Sequence, residues 1–291
     1  MNMLRISLFI SGDLGFSCLL DIYKKQEEIK CVFTNKSSLK IIEFAANYKI
    51  PVFIGNPNVK NGLEFLEKFD IDLLLSINYI FLLEKNIFNF PQKYAINFHG
   101  SLLPKYRGRT PHVWAIINNE KSTGITAHLI DAGCDTGAIV LQKKIKIEKN
   151  DTGNDLLSKF KLTYPEMVTD VLTLIKKGEL ECELQDEAKA TYFHKRGPED
   201  GLINWNWSKE RIRNWIRAQA KPYPGAFTLF EKHKLFIYKI RYSDYGFSQS
   251  DPNGMVLNCN PLLVKTHNGA VEIIDYKNTS DQKMELLYVF N

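Results

Sequence analysis

Short apolar runs alternate with amphipathic stretches along the first two thirds of the chain. Leu4–Ile10 reads as a strand, and after Gly12 a helical stretch runs over Phe16–Ile29. Cys31–Thr34 reads as a second strand, and Leu39–Tyr48 as a helix whose apolar residues recur at helical spacing. Pro51–Ile54 continues as a strand, Gly62–Phe69 as a helix, and Asp72–Ile77 as a near-continuous apolar strand. Ala95–His99 is the next strand. A loop then leads to a helix over Pro111–Asn118, with Thr110 the expected N-cap ahead of a proline at the first helical position. Thr123–Ile130 and Ala138–Ile147 follow as strands. A long helix over Asn154–Lys177, stopped at Gly178, closes this part. Such alternation predicts an α/β fold with a mostly parallel sheet and helices on both faces.

The pattern changes after the polar stretch Glu179–Lys189. Ser208–Gln219 reads as one amphipathic helix with Ile212, Trp215 and Ile216 turned inward. Five strand-like segments follow: Ala226–Phe230, Lys234–Arg241, Met255–Asn258, Leu262–Thr266 and Ala270–Asp275, with turn signals such as Pro224-Gly225 and Asn253-Gly254 between several of them. One helix and five short strands predict a smaller barrel-like domain of the oligonucleotide/oligosaccharide-binding type. The boundary is placed so that residues 1–185 form the first domain and 186–291 the second.

Composition narrows the class. With 44% apolar residues, 24% charged residues and 18 Phe, 13 Tyr and 4 Trp, disorder is excluded. The longest uncharged stretch near the front, Leu73–Leu83, is far short of the ~20 residues that span a bilayer, so no membrane partner is expected. The opening run lacks an A-x-A cleavage pattern and Asp13 interrupts it, so it reads as a buried strand rather than a leader. Cys18, Cys31, Cys134, Cys182 and Cys259 are scattered and never in a CxxC spacing, which fits a reducing, cytoplasmic setting. The net charge is +5, and from Ala190 onward 14 basic side chains face 10 acidic ones. That surplus permits an anionic small molecule without demanding nucleic acid.

The chemistry-bearing segment is Ile96-Asn97-Phe98-His99-Gly100-Ser101-Leu102-Leu103-Pro104. Side chains two apart on a strand share a face, so Asn97 and His99 enter one cavity at the carboxyl end of a strand, where open α/β sheets bind ligands. An amide can donate to a developing oxyanion and an imidazole can take an amine's proton. A lone N-x-H pair is also common as plain structure. The second segment, Asp131-Ala132-Gly133-Cys134-Asp135-Thr136-Gly137, reads either as a tight solvated turn or as a backbone that approaches a planar ligand while a carboxylate orients His99.

Taken together, Asn97 through Gly108, Gly124-Ile125-Thr126 and Asp131 through Gly137 resemble the 10-formyltetrahydrofolate-dependent formyltransferases. Tyr192 through Arg196, Asp200 through Trp205 and Pro222 through Phe227 resemble the junction and carboxyl domain of the enzymes that formylate methionyl-tRNA or UDP-4-amino-4-deoxy-arabinose. The resemblance spans nearly the whole chain and implies a Rossmann-like catalytic domain followed by a barrel-like one. It implies that Asn97 polarises the formyl group and stabilises the tetrahedral intermediate, that His99 handles the proton of the amine, and that Asp135 holds His99 in its working state. By the same resemblance Ser101, Leu102, Leu103, Pro104, Arg109, Asp131, Ala132, Gly133 and Cys134 line the folate site. Phe81, Leu82 and Leu83 do so on a thinner anchor, Ser76 and the spacing to His99. The cosubstrate implied is 10-formyltetrahydrofolate.

Other residues carry two readings. His128, in mid-strand, reads as a packed, hydrogen-bonded ring ahead of a catalytic one. Lys105 and Arg107 grip a pyrophosphate or belong to a solvated loop. His112 and Trp114 open a helix beside the site; Trp114 reads first as core, and either ring can stack on a nucleotide base. Cys134 has no adjacent base, and formyl transfer needs no covalent intermediate, so it is not a nucleophile. Six histidines without ligand spacing predict no metal.

Among acceptors, the glycinamide ribonucleotide enzymes resemble only the first domain. The methionyl-tRNA enzymes carry a basic insertion after the second strand, where this chain has only Thr34-Asn35-Lys36-Ser37-Ser38-Leu39-Lys40 before a helix, and a fuller carboxyl tail than the one following Asp275 here. The expected acceptor is therefore a nucleotide-linked 4-amino sugar, on a dTDP or UDP carrier, destined for lipopolysaccharide or O-antigen. Methionyl-tRNA is the alternative. A silent nucleic-acid-binding protein using the barrel is disfavoured, because no aromatic stacking row is evident. A homodimer is allowed but not specified.

Overall fold

Ile6, Leu8, Phe9 and Ile10 are all fully buried, as a strand inside a helix-covered parallel sheet must be. They belong to β1 (Arg5–Ile10), the first element of the computed structural model, which describes residues 3–279 and 283–290. The chain divides into two units. The first takes residues up to Gly108, Thr123–Ile145 and Ser158–Phe193. The second takes Arg109–Ser122, Lys146–Leu157 and the chain from His194.

After β1 come α1 (Gly12–Lys24), β2 (Glu28–Thr34), α2 (Leu39–Asn47), β3 (Val52–Ile54), α3 (Lys60–Leu66), β4 (Leu73–Ile77), α4 (Lys85–Phe88), β5 (Tyr94–His99) and the short β6 (Arg107–Gly108). α5 (Pro111–Ile117) falls in the second unit. The chain then returns with β7 (Ser122–Leu129), β8 (Ile139–Lys146), α6 (Gly153–Lys177) and β9 (Tyr192–Phe193). Seven strands form one sheet in the order β3-β2-β1-β4-β5-β7-β8. The pairs from β3 to β5 are parallel, and β5 meets β7 antiparallel. Period-2 alternation sorts the apolar residues between two faces. Leu8, Ile10, Leu73, Leu75 and Ile96 join one cluster with α1 and α6; Phe9, Phe33, Leu74 and Ala95 join another with α3.

The first helix departs from its predicted bounds. It starts at Gly12, whose φ of +63° turns the chain directly off β1, and it stops before Ile29, which pairs with Ile6 in the β1–β2 ladder. Long-range pairing thus decides a residue that helical periodicity alone had placed in α1.

In the second unit, α7 (Lys209–Ala218) begins at Ser208, whose hydroxyl accepts from the Arg211 N–H, and it buries Ile212, Trp215 and Ile216. β10 (Ala226–Phe230), β11 (His233–Ser243), β12 (Val256–Cys259), β13 (Leu262–Thr266) and β14 (Gly269–Asn278) form an antiparallel sheet in the order β10-β11-β14-β13-β12. Trp205, Ile212, Ile216, Leu235, Ile237 and Val271 share its core with α5. Thr110 does precede α5, but as a left-handed residue (φ 50°, ψ 45°) that makes no side-chain cap. In that conformation its hydroxyl does not reach the first-turn N–H groups, so the expected capping bond is corrected. Cys18, Cys31, Cys134, Cys182 and Cys259 form no disulfide. Among the described residues, no helix is long and apolar enough to cross a membrane.

Phe33 stacks on Phe9 with ring centroids 4.2 Å apart and meets Phe65 edge-on, entirely shielded from solvent. Emptying that volume removes transfer energy and leaves a cavity. Phe33→Ala is expected to lower unfolding stability by about 3–5 kcal/mol, measured by chemical denaturation. A loss below about 1 kcal/mol would show that the aromatic cluster is not core.

Candidate active site

Asn97 and His99 stand two apart at the carboxyl end of β5, on one side of the sheet. The antiparallel neighbour β7 places His128 opposite Asn97 and Thr126 opposite His99. Directly opposed residues are the closest cross-strand neighbours. The Asn97 Nδ2 lies 3.1 Å from His128 Nε2 and donates to Asp135 Oδ1 at 3.4 Å.

Asp135 comes from the turn between β7 and β8. Asp131 shapes that turn by accepting from the Gly133 N–H at 3.1 Å and the Thr136 hydroxyl at 2.6 Å. Asp135 itself is left-handed, with φ +56°. At Gly137 the backbone passes so close to the Leu129 carbonyl that a Cβ would sit 1.8 Å from its oxygen, so glycine alone fits. The carboxylate ends up between two imidazoles. Oδ2 lies 3.5 Å from His99 Nδ1 and accepts the Gly108 N–H at 2.9 Å, while Oδ1 lies 3.5 Å from His128 Nε2.

Carbonyl oxygens fix both rings. Tyr106 O is 2.8 Å from His99 Nε2, so that nitrogen carries a proton and the lone pair falls on Nδ1, toward Asp135. Leu129 O is 2.8 Å from His128 Nδ1, so His128 Nε2 is left to accept from the Asn97 amide. Burial pushes the His99 pKa below 6.5, against the opposing pull of Asp135 and Tyr106 O. Burial also works to raise the Asp135 carboxyl, but His99, His128 and the Gly108 N–H together hold it well below the usual carboxylate range.

The structure brings Asn97, His99 and Asp135 together as the sequence predicts, and adds His128. His128 is packed and hydrogen-bonded, as the sequence reading preferred, and beyond Leu129 O its neighbours are Asn97 and Asp135. Its signal lay in the β5–β7 register, which no local pattern reveals. The backbone of Ser101–Leu103 is fixed beside the site. The Thr126 hydroxyl donates to Ser101 O at 2.7 Å and accepts from the Leu103 N–H, and the Gln142 amide donates to Leu103 O at 2.8 Å. Ser101 Oγ donates to Lys105 O, and Pro104 is half-buried. Asp131, Ala132, Gly133 and Cys134 are exposed on the turn. Phe81 and Leu83 pack against the cluster of Phe9 and Ile130, while Leu82 is 71% exposed.

Other expectations change. Arg107 is wholly buried, and its guanidinium bonds Gln185, Glu187 and the Tyr192 hydroxyl, so it does not present itself to a pyrophosphate. Lys105 is exposed. Arg109, His112 and Trp114 belong to the second unit. Arg109 is exposed there. His112 is buried with Nε2 2.5 Å from the Tyr223 hydroxyl, which replaces the base-stacking role expected of it. Trp114 packs against the core of its unit, donates Nε1–H to His194 O and has the Arg196 guanidinium 4.9 Å over its ring. Among the described residues, no group of three or more His, Cys, Asp or Glu side chains is arranged to hold a metal ion.

Comparison with known proteins agrees with this geometry. The family model described as formyl transferase matches residues 4–172, and the formyl transferase C-terminal domain matches 195–291. The chain is 36% identical over 275 residues to the bifunctional polymyxin resistance protein ArnA of Wigglesworthia glossinidia brevipalpis, covering 92% of this chain and 41% of that protein. It thus spans less than half the length of this relative. The N-formyltransferase from Helicobacter canadensis, solved with folinic acid and dTDP-3-aminofucose, has a similar fold: TM-score 0.68, 23% identity, 94% of this chain and 99% of that one. HypX from Aquifex aeolicus, solved with tetrahydrofolic acid, superposes with TM-score 0.66 and 15% identity over 99% of this chain and 46% of its own.

The lowered pKa of His99 has a definite sign for stability. The unfolded chain protonates at an ordinary 6.5 while the folded ring stays neutral, so stability falls as pH drops through and below that value. Imidazole nitrogen shifts at pH 6.5 should show a predominantly neutral His99 protonated at Nε2, and His99→Gln should flatten this part of the pH dependence of unfolding. A ring already half protonated at pH 7 contradicts the assignment.

Proposed function

This chain belongs to the formyl transferase family, and from that premise we propose that it moves a formyl group from 10-formyltetrahydrofolate to the amine of a nucleotide-linked amino sugar. The carrier in this proposal is dTDP or UDP and the sugar a 4-amino-4-deoxy hexose or pentose, used in the cytosol for surface polysaccharide. The observation that carries it is the meeting of Asn97, His99 and Asp135 at the ends of β5 and β7.

Bound folate supplies an activated formyl group; the remaining work falls to side chains of the chain itself. His99 Nδ1 holds the lone pair that accepts the proton of the attacking amine, and Asp135, 3.5 Å away, balances the imidazolium. Asn97 Nδ2 donates to the oxygen on which negative charge develops. It can do so by yielding its longer bond, the 3.4 Å one to Asp135, while His128 keeps the amide oriented. The half-buried Leu102 and the fixed backbone of Ser101–Leu103 suit a planar heteroaromatic ligand, which asks for apolar walls and a few immobile polar groups. We assign this chemistry to residues 1–185.

Two observations favour a sugar nucleotide over tRNA. β2 ends at Thr34 and α2 begins at Leu39, so no basic insertion stands between them. The net charge of +5 is small for a protein that must neutralise many phosphates. The 36% identity to ArnA points the same way.

Incubation with 10-formyltetrahydrofolate and a panel of dTDP- and UDP-linked amino sugars, with methionyl-tRNA alongside, should yield a formamide on at least one sugar. Formylation of tRNA alone would replace the sugar reading, and no transfer to any acceptor would remove both. On the best acceptor, His99→Ala and Asp135→Ala should lower kcat by about 10²–10⁴-fold with folding intact. Asn97→Ala should lower kcat by about 10²–10³-fold with little change in KM. Asn97→Asp, nearly isosteric but an acceptor, should fall at least as far. Retention of much of the rate in Asn97→Asp would show that Asn97 only supports the neighbouring loop. Activity should also survive dialysis against EDTA; loss restored by Zn²⁺ or Mg²⁺ would overturn the metal-free mechanism.

A further inference from the structure

Asp135 is a left-handed, non-glycine residue whose carboxylate stands between two imidazoles, and the bonds of Asp131 within its turn go to Gly133 and Thr136 rather than to Asp135 itself. The bonds that hold its backbone come from a distant segment. Gln185 Nε2 donates to Asp135 O at 2.8 Å and to Gly137 O at 2.7 Å, clamping the backbone on both sides of Thr136. Gln185 Oε1 is held in turn by Arg107, which donates Nη2–H at 2.8 Å and Nε–H at 3.2 Å. Arg107 is immobilised by full burial, by Glu187 and Tyr192, and by the β6–β9 pairing of Arg107 with Tyr192. The next residue, Gly108, donates its N–H to Asp135 Oδ2.

We propose that Gln185, locked in place by Arg107, is the positioning residue that holds the Asp135 turn so that its carboxylate faces His99. The proposal rests on the formyl-transfer reading above. The amide is needed in one orientation: its NH₂ group must reach two carbonyl oxygens while its oxygen faces a guanidinium. Arg107, with five donors in a fixed fork, imposes that orientation on Gln185. Gln185 and Arg107 touch no reacting atom in this account and act only through Asp135.

Gln185→Leu removes both clamps and keeps the volume. On the best acceptor it should lower kcat by about 10–100-fold, the scale of a misplacement near 1 Å, and leave KM for both substrates nearly unchanged. The same substitution added to Asp135→Ala should cost nothing further, because its effect is routed through the missing carboxylate. A readout independent of any acceptor is the NMR titration of His99, faced by Asp135, His128 and Tyr106 O. Gln185→Leu should shift its midpoint downward, as Asp135→Asn does, since both take negative charge from the ring. If Gln185→Leu does not fold, Gln185→Met and Gln185→Glu replace it, since each keeps the length and loses the two donors. An unmoved His99 titration, an unchanged kcat, or an equal loss on the Asp135→Ala background would overturn the proposal. Absence of formyl transfer by the wild type would overturn the catalytic reading alone, because the titration still tests the clamp.

Discussion

A carboxylate taken out of water must be matched by partners, or its desolvation outweighs whatever it does. The Asp135 side chain is only 14% exposed, and the first unit is arranged so that this charge is met from three directions. Gly108 on β6 donates its N–H to Oδ2, Asn97 on β5 donates its amide to Oδ1, and His128 on β7 stands 3.5 Å from Oδ1. Each partner arrives on a different element: β5, β7 and β6. The sheet is therefore more than a scaffold that carries the site. Its antiparallel step from β5 to β7 is what brings a second imidazole opposite Asn97.

Two backbone carbonyls, Tyr106 O and Leu129 O, make the two imidazoles a pair rather than copies. Each ring gives one N–H to a backbone carbonyl, His99 through Nε2 and His128 through Nδ1. The opposite choice of nitrogen leaves His99 with a lone pair toward Asp135 and His128 with one toward the Asn97 amide. Tautomers fixed by backbone groups do not change when a side chain is substituted elsewhere, so the division of labour is built into the chain path. Burial keeps His99 basic only weakly, and Asp135 restores part of that basicity. The balance suits the proton acceptor that the proposed transfer asks of His99.

Much of this was legible in the sequence, and the boundary is physical. The alternation of strands and helices, the inward face of α7 and the shared face of Asn97 and His99 all follow from periodicities of 2 and 3.6, which are local. Asp135 came from the family resemblance, because the turn holds two carboxylates, Asp131 and Asp135, and a local reading does not choose between them. The contacts of His128 were not legible, because its partner is set by a register between strands 31 residues apart, and a one-residue slip would have turned it to the other face. Arg107 was misread for a related reason. A basic residue in a glycine-containing loop looks solvent-facing until Gln185, Glu187 and Tyr192 arrive from about 80 residues further on. Thr110 shows the limit of capping rules, since a left-handed backbone withdraws the hydroxyl that the rule relies on.

The burial of Arg107 also bears on how a sugar nucleotide would be read. A guanidinium sealed by a carboxylate and two neutral groups contributes little field at the surface, and the N–H groups of residues 105–108 are already bonded within the chain, so on the proposed reading the exposed Lys105 is what this loop offers a diphosphate. An ammonium is a point charge without the bidentate geometry of arginine, and it discriminates weakly between phosphate arrangements. Selectivity among sugar nucleotides then has to come from contacts to the sugar and the base. In the proposed clamp the buried guanidinium of Arg107 serves the Asp135 turn through Gln185 instead. Loss of that order would be felt in the rate of transfer before it was felt in affinity for the acceptor.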